Sequence, residues 1–261
     1  MAKFPWKNPQ LISLGEDCET MFRINDYSKV EGSFPFSWCY LADREGLLRG
    51  LNDLQSVPGD KCSSFLSNPG MVFFPMSGLA FHFRSIQPKA ESFISQNDPD
   101  YLEFVSRFAH LRQKMLDFWS SGKPAVYFLK LSHTNFELDS RFVRQVDALL
   151  LEKQSGPYLL IPIFNRNGIS KREYRKMGSK TISPEFVRRF WDFRFDYIWR
   201  NYSGDRLGWF LIFKHHIRGK CLPFLIKMES RYFYLKHPKF RKLFGWLPHR
   251  KGNCESPSFF S

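Results

Sequence analysis

Residues 125–131 read Ala-Val-Tyr-Phe-Leu-Lys-Leu, and residues 158–164 read Tyr-Leu-Leu-Ile-Pro-Ile-Phe. Each run is short, mostly apolar and bounded by turn residues, which predicts a buried strand. The intervening segment Asp139–Lys153 is predicted to be a helix, and a strand–helix–strand succession is typical of a crossover between parallel neighbours. A third apolar run, Leu11–Leu14, is predicted to belong to the same sheet. The sequence therefore predicts an α/β fold with a central, mostly parallel sheet flanked by helices.

The other predicted elements are coarser. Apolar spacing and cap residues predict further helices at Asp17–Tyr27, Leu41–Leu54 and Asp98–Ser120. A turn signature follows the second of these helices, and Asp98 is the predicted N-cap of the third. Gly70–Phe74 and Leu79–Phe83 are predicted to be short strands around a Pro75–Gly78 turn, which places His82 on a hairpin arm. Residues Pro184–Tyr202 are predicted to be helical or irregular.

Cys18 follows the first predicted strand, at a junction between strand and helix. The apolar run stops at Gly15, and Glu19–Tyr27 can be helical. Unpaired N–H groups and the helix dipole favour an anion at a helix N-terminus, and the same field favours the nucleophilic thiolate of a cysteine. Cys18 is therefore a candidate nucleophile. The alternative is a small, buried and inert residue that closes the joint.

Two motifs resemble the opening of a bacterial family of papain-like cysteine peptidases, a domain of unknown function whose members begin with Ile-Ser-Leu-Gly-x-x-Cys. They are Leu11-Ile12-Ser13-Leu14-Gly15-Glu16-Asp17-Cys18 and Gly32-Ser33-Phe34-Pro35-Phe36-Ser37-Trp38. Weaker motifs follow in the family's order, at Phe81-His82-Phe83, at Tyr101 with Arg107-Phe108, and at residues 125–129, so the resemblance covers residues 9–168. The resemblance implies a thiol hydrolase in which Cys18 attacks an acyl or peptide substrate, His82 carries the proton, and a thioester forms.

The chain departs from the family at two acids. The family's Asp before Trp38 is Ser37 here, and its Asp after the histidine is Phe83. A histidine base needs a partner that orients its ring, and Asn165 or another residue distant in sequence could take that role.

His133 is the second candidate base. Ligands of open α/β sheets bind beyond the carboxyl ends of the strands, where Cys18, His133 and Asn165 would meet if their strands are parallel neighbours. The family order favours His82, whereas this topology favours His133. Either histidine could instead be an ordinary strand or loop residue.

Composition and residue spacing limit the kinds of fold, bound group and cellular location that the sequence allows. The 261 residues suit one substantial core with or without a small appendage, and the five cysteines show neither zinc-finger nor redox-motif spacing. No histidine, cysteine and carboxylate group has ligand spacing and no Gly-rich phosphate loop is found, so no metal and no cofactor are predicted. The N-terminus lacks a secretory signal and no apolar run is long enough for a membrane span, which predicts a cytoplasmic protein.

The net charge of +14 is concentrated at the C-terminus. Lys214–Gly252 holds eleven Lys or Arg against one acid, Glu229, among many bulky apolar residues. The predicted organisation is therefore an α/β domain at residues 1–212 and a basic aromatic extension at residues 213–261. Such a segment fits an anionic membrane surface on the inner face of the membrane, or a packed helical cap. Nucleic acid is disfavoured as a partner, because surfaces that bind nucleic acid carry fewer bulky aliphatic residues than this segment does.

Three functions stay open at this stage. The first is the thiol hydrolase, or an acyltransferase that uses the same thiol on a cell-envelope glycan. The second is a non-catalytic protein of the same fold that binds at a membrane surface or to another partner. The third is a nucleic-acid-binding module built on the basic extension.

Overall fold

The computed structural model describes residues 6, 8–16, 19–27, 32–41, 43–56, 71–74, 78–82, 99–132, 135–165, 169–187 and 206–216. All of them belong to one compact unit, residues 1–222, and the second unit, residues 223–261, lies outside the described residues. Cys18, Phe83, His133 and the side chain of His82 also lie outside the described part of the chain.

Fourteen helices and strands make up the described chain. In order they are β1 (Gln10–Ser13), α1 (Glu19–Tyr27), β2 (Cys39–Leu41), α2 (Arg44–Asn52), a short 3-10 helix (Leu54–Ser56), β3 (Met71–Phe74), β4 (Leu79–His82), α3 (Pro99–Ser120), β5 (Ala125–Leu131), α4 (Phe136–Lys153), β6 (Tyr158–Asn165), α5 (Lys171–Arg175), β7 (Glu185–Val187) and α6 (Arg206–His216).

Among the described residues, the main sheet has four strands in the order β1-β5-β6-β7, and each neighbouring pair is parallel. The register pairs Leu11 with Val126 and Leu131 with Phe164. The predicted α/β fold with a central parallel sheet is therefore confirmed. Strands β5 and β6 are buried almost throughout, which explains why both sequences are mostly apolar and do not alternate between apolar and polar residues.

Alternate residues of each strand face two different layers. One face, represented by Ile12, Tyr127 and Leu160, belongs to a single apolar core that also takes in α3, α4 and the three-stranded sheet described next. The other face carries Phe128, whose ring stacks on Phe213 of α6 at a centroid distance of 4.9 Å. Helices therefore cover both sides of the sheet.

A second, antiparallel sheet has the order β2-β4-β3. The predicted hairpin is present as β3 and β4, with Gly78 in the turn at a φ of +66°. Strand β2 was not predicted: Leu41, the expected first residue of a helix, ends this strand instead. Helix α2 begins three residues later, at Arg44, because the side chain of Asp43 accepts a hydrogen bond from the Gly46 amide and caps it.

The sequence pattern also missed β7. Glu185–Val187 pairs with the end of β6 inside a segment predicted to be helical or irregular, because three residues are too few for a period to register. Helix α6 includes Phe213, the first residue of the predicted extension, and buries it together with Trp209 and Ile212. Within the described residues, none of the helices combines the length and the apolar character needed to cross a membrane.

Candidate active site at the carboxyl edge of the sheet

The turn after β1 has an unusual backbone. Gly15 and Glu16 both lie in the left-handed region, with φ angles of +91° and +73°. Glycine reaches this region without cost, whereas a residue with a side chain seldom does. Ser13 stabilises the turn by accepting a hydrogen bond from the Gly15 amide at 3.3 Å. Helix α1 then begins at Glu19, so the chain passes from strand to helix within the five residues that precede it.

Glu16 links this turn to the end of the neighbouring strand. Its Oε1 accepts a hydrogen bond from the backbone amide of Ser132 at 2.8 Å. Ser132 directly follows β5, and Asn165 ends β6, one position beyond the Leu131–Phe164 pair. The turn, Ser132 and Asn165 therefore lie along one edge of the sheet, as expected for the carboxyl ends of parallel strands. His133 follows Ser132 in sequence but lies outside the described residues.

The second sheet lies against the same turn. A methyl group on Gly15 would overlap the sulfur of Cys39 in β2, and Cys39 pairs with Phe81 in β4. Trp38, the residue before Cys39, packs edge to face on Phe22 of α1, with ring centroids 5.2 Å apart. His82 follows Phe81, so the backbone brings the β4 end that carries this histidine toward the strand–helix junction. The position of its ring lies outside the described part of the structure.

A buried ion cluster fixes the first turn of α1 to the sheet. Lys130 of β5 places its Nζ 3.0 Å from Oε2 of Glu19, and Arg23 places its Nη2 3.3 Å from Oε1 of the same carboxylate. All three side chains are almost completely buried. Buried ionised groups are stable only when they are paired. The cluster therefore fixes the rotation of α1 about its own axis and its position along β5. The lysine within the apolar run 125–131 is the sequence signal that could have revealed it.

Ser37, which stands where the resembled family has an acid, is used within its own turn. Its Oγ accepts a hydrogen bond from the Phe34 amide at 2.9 Å, and its own amide donates to the Phe34 carbonyl at 3.0 Å. Trp38 donates from Nε1 to Ser33 Oγ at 2.8 Å. The hydroxyl of Ser37 therefore shapes the 33–38 segment and is not a free substitute for a carboxylate.

A buried carboxylate braces the helices behind the edge. Asp139, on the first turn of α4, pairs with Arg44 of α2 and accepts a hydrogen bond from the Tyr174 hydroxyl of α5 at 2.8 Å. Burial raises the pKa of Tyr174, and the hydrogen bond to this carboxylate is a second, smaller cause. The phenol consequently stays a neutral donor, and the segments that follow β5 and β6 are joined through one side chain.

A separate cluster of potential ligands lies where α6 meets β7. Glu185, His215 and His216 each place a donor atom within 4.8 Å of the other two. Nε2 of His216 is 2.6 Å from Oε1 of Glu185. Sequence reasoning predicted no metal ligands, and in the structure His215 is exposed while His216 is buried. It missed the cluster because the carboxylate lies thirty residues before the histidines, outside any short-range ligand spacing.

Comparison with known proteins returns no matching family model, no matching curated protein and no matching solved structure.

Proposed function

We propose that the protein is a thiol-dependent hydrolase with Cys18 as its nucleophile. The observation that carries the proposal is the left-handed turn of Gly15 and Glu16, which joins β1 to α1 so that the helix begins one residue after Cys18. Free amides and the positive end of the dipole at a helix N-terminus favour the thiolate of a cysteine that precedes the helix. Backbone strain at Glu16, a residue with a side chain in the left-handed region, is also typical of functional turns.

The surroundings of the turn supply candidates for the other roles. His82 is the first candidate base because β4 is joined through Cys39 to Gly15. His133 is the second, because the adjacent Ser132 is hydrogen-bonded to Glu16. Asn165, at the neighbouring strand end, is the candidate for orienting the imidazole, the role for which Ser37 is unsuited.

In the proposed reaction the thiolate attacks the carbonyl carbon, and the imidazolium gives its proton to the leaving group as the bond to that group breaks. The product is a thioester on Cys18. Water then attacks the thioester carbonyl, the histidine takes the water's proton, and the acid and the thiol are released. An acyltransferase would use the same thioester and replace water with an alcohol of a glycan.

An activated aryl ester tests the proposal without knowledge of the natural substrate. We expect the reduced full chain to release the aryl alcohol in a burst and to gain one acyl group, which peptide mapping by mass spectrometry would locate on Cys18. Cys18→Ala should abolish the burst and retain the fold, whereas Cys221→Ala should not change it.

Histidine variants distinguish the two candidate bases. His82→Ala or His133→Ala should slow acylation by about 100-fold or more if that residue is the base. His110→Ala is the matched control, because His110 is exposed on α3. Acylation spread evenly over several cysteines, or unchanged in Cys18→Ala, would refute the thiol hydrolase.

We further propose that the extension places the enzyme on an anionic membrane face. Its sequence supports this through a local net charge of +10 in Lys214–Gly252 and through bulky side chains such as Phe224 and Trp246. The buried Ile212, Phe213 and His216 pack within the α/β unit, so they are unavailable for insertion into lipid. The proposed anchor is therefore limited to residues 217–252.

A further inference from the structure

We infer that Glu185, His215 and His216 form a binding site for a divalent transition-metal ion. Their donor atoms, one carboxylate oxygen and two imidazole nitrogens, all lie within 4.8 Å of one another. Imidazole and carboxylate together suit Zn²⁺ and its neighbours in the first transition row, and do not favour Ca²⁺ or Mg²⁺. The inference does not depend on Cys18 or on its proposed chemistry.

The fold brings these donors together from two elements. Glu185 begins β7, where it pairs with Ile163 of β6, and its neighbour Phe186 packs on Phe164. The histidines end α6, which Phe213 fixes to the sheet by stacking on Phe128. Both elements are thus positioned by packing that does not involve the donors. The backbone that carries the three donors is therefore held in place without a metal, as a preorganised site requires.

The spacing needs only a small adjustment to accept an ion. Ligand atoms lie about 2.0–2.2 Å from Zn²⁺, so two tetrahedral ligands are about 3.4 Å apart. His216 Nε2 and Glu185 Oε1 are now 2.6 Å apart, which is a hydrogen-bond distance. The ion would replace the shared proton, which leaves to solvent, and the two atoms would separate by less than about 1 Å. Three protein ligands leave a fourth position for water.

His215 distinguishes a metal site from a structural hydrogen bond. The bond between His216 and Glu185 would tie α6 to β7 without any help from the neighbouring residue. His215 nevertheless directs a donor atom toward the pair, and its ring meets that of His216 edge to face at 4.7 Å between centroids. Because His215 is exposed, its loss should change metal affinity and leave the fold intact.

The experiment measures Zn²⁺ affinity of the reduced, untagged full chain by competition with a chromogenic chelator. We expect one Zn²⁺ per chain, with the affinity reduced more than about 100-fold in His215→Ala and in Glu185→Gln, since even outer-shell partners of a metal typically contribute 10–100-fold. His110→Ala should bind as the wild type does. Circular dichroism of each metal-free variant verifies the fold, and Glu185→Gln can still accept a hydrogen bond from His216.

Co²⁺ provides the second readout, because the chain also contains five cysteines. The absorption spectrum of Co²⁺ in a nitrogen–oxygen site shows visible bands but lacks the near-ultraviolet band of a cobalt–thiolate bond. Absence of Zn²⁺ binding, unchanged affinity in a folded His215→Ala variant, or a thiolate band lost together with the cysteines would overturn the assignment.

Discussion

Gly15 combines a φ of +91° with close contact to another element. A Cβ at this position would overlap the Cys39 sulfur and lie 3.5 Å from the carbonyl oxygen of Cys39 and a methyl group of Leu41. The residue therefore sets both the direction of the chain after β1 and the distance between the two sheets. Glycine is needed here for two separate physical reasons, one conformational and one steric.

Gly15→Ala should consequently lower the free energy of unfolding by about 2–4 kcal/mol, since backbone strain and overpacking each cost about 1–3 kcal/mol. Gly122→Ala is the matched control, because Gly122 has a φ of +68° but nothing within 4 Å of a Cβ. Urea titrations of both variants separate strain from overlap. Adding Cys39→Ala should recover part of the loss at position 15 and none at position 122. Equal losses in the two single variants would contradict a tight contact at Cys39.

At the scale of elements, the packing of α3 and α4 on β5 contains a buried polar network. Trp119 donates from Nε1 to the Tyr127 hydroxyl at 3.0 Å, and this hydroxyl donates to Gln154 Oε1 at 2.7 Å. Gln154 in turn donates from Nε2 to the carbonyl of Lys123 at 3.0 Å. Every member has a partner, so the network fixes the height of both helices against the strand. Burial raises the pKa of Tyr127.

Tyr127→Phe should lower the free energy of unfolding at neutral pH by about 1–3 kcal/mol, because the indole N–H and the amide oxygen lose their common partner. The raised folded-state pKa adds a pH dependence. The stabilisation is complete below the ordinary tyrosine pKa of 10.0 and is lost as pH rises above it, because only the unfolded chain then releases the phenolic proton.

Denaturant titrations between pH 8 and about 11 measure both effects. The decline of the free energy of unfolding above pH 10 should be shallower in Tyr127→Phe than in the wild type. The part of the decline that persists should come from Tyr158 and Tyr174, because burial raises their pKa values as well. Tyr40→Phe serves as control, since this side chain is 46% exposed. Parallel pH curves for Tyr127→Phe and the wild type would show that this phenol does not contribute to the alkaline limb.

Sequence pattern predicts the elements whose periodicity is long enough to read. β5 and β6 are mostly apolar strands of seven and eight residues, and they were placed correctly with their parallel pairing. β2 and β7 have three residues each, and Leu41 was assigned to a helix because its spacing also fits one. α4 begins at Phe136, three residues before the predicted start, because Asn135 and not a later residue caps it by accepting a hydrogen bond from Leu138.

The candidate site is predictable only where topology places its residues. Parallel pairing brings the β1 turn, Ser132 and Asn165 to one edge, as the sequence predicted. The Glu19–Arg23–Lys130 cluster and the Glu185–His215–His216 cluster depend on which faces of α1 and α6 meet the sheet. Tertiary packing decides those faces, and no local spacing encodes them.

For the whole molecule, the distribution of charge separates two parts of the chain. Of the net charge of +14, Lys214–Gly252 contributes +10, the much longer part at residues 1–213 contributes +5, and Glu255 contributes −1. Lys or Arg close to an anionic bilayer contributes about 1 kcal/mol each, and inserted aromatic side chains add a component that salt does not screen. The proposed membrane anchor should therefore act through the position of the charge and not through its total.

We expect the full chain to sediment with vesicles containing phosphatidylserine, and to bind neutral phosphatidylcholine vesicles much more weakly. Salt should weaken the binding without abolishing it, because inserted rings such as Phe233 and Trp246 remain in the bilayer. Replacing three basic residues of the extension, in Lys239→Glu/Arg241→Glu/Lys242→Glu, should remove most of the binding. The matched variant makes the same change in net charge on exposed residues of the α/β part, in Lys123→Glu/Arg141→Glu/Lys180→Glu, and should bind as the wild type does. Equal losses in the two triple variants, or equal binding to both kinds of vesicle, would rule out a localised anionic-surface anchor and favour the packed cap.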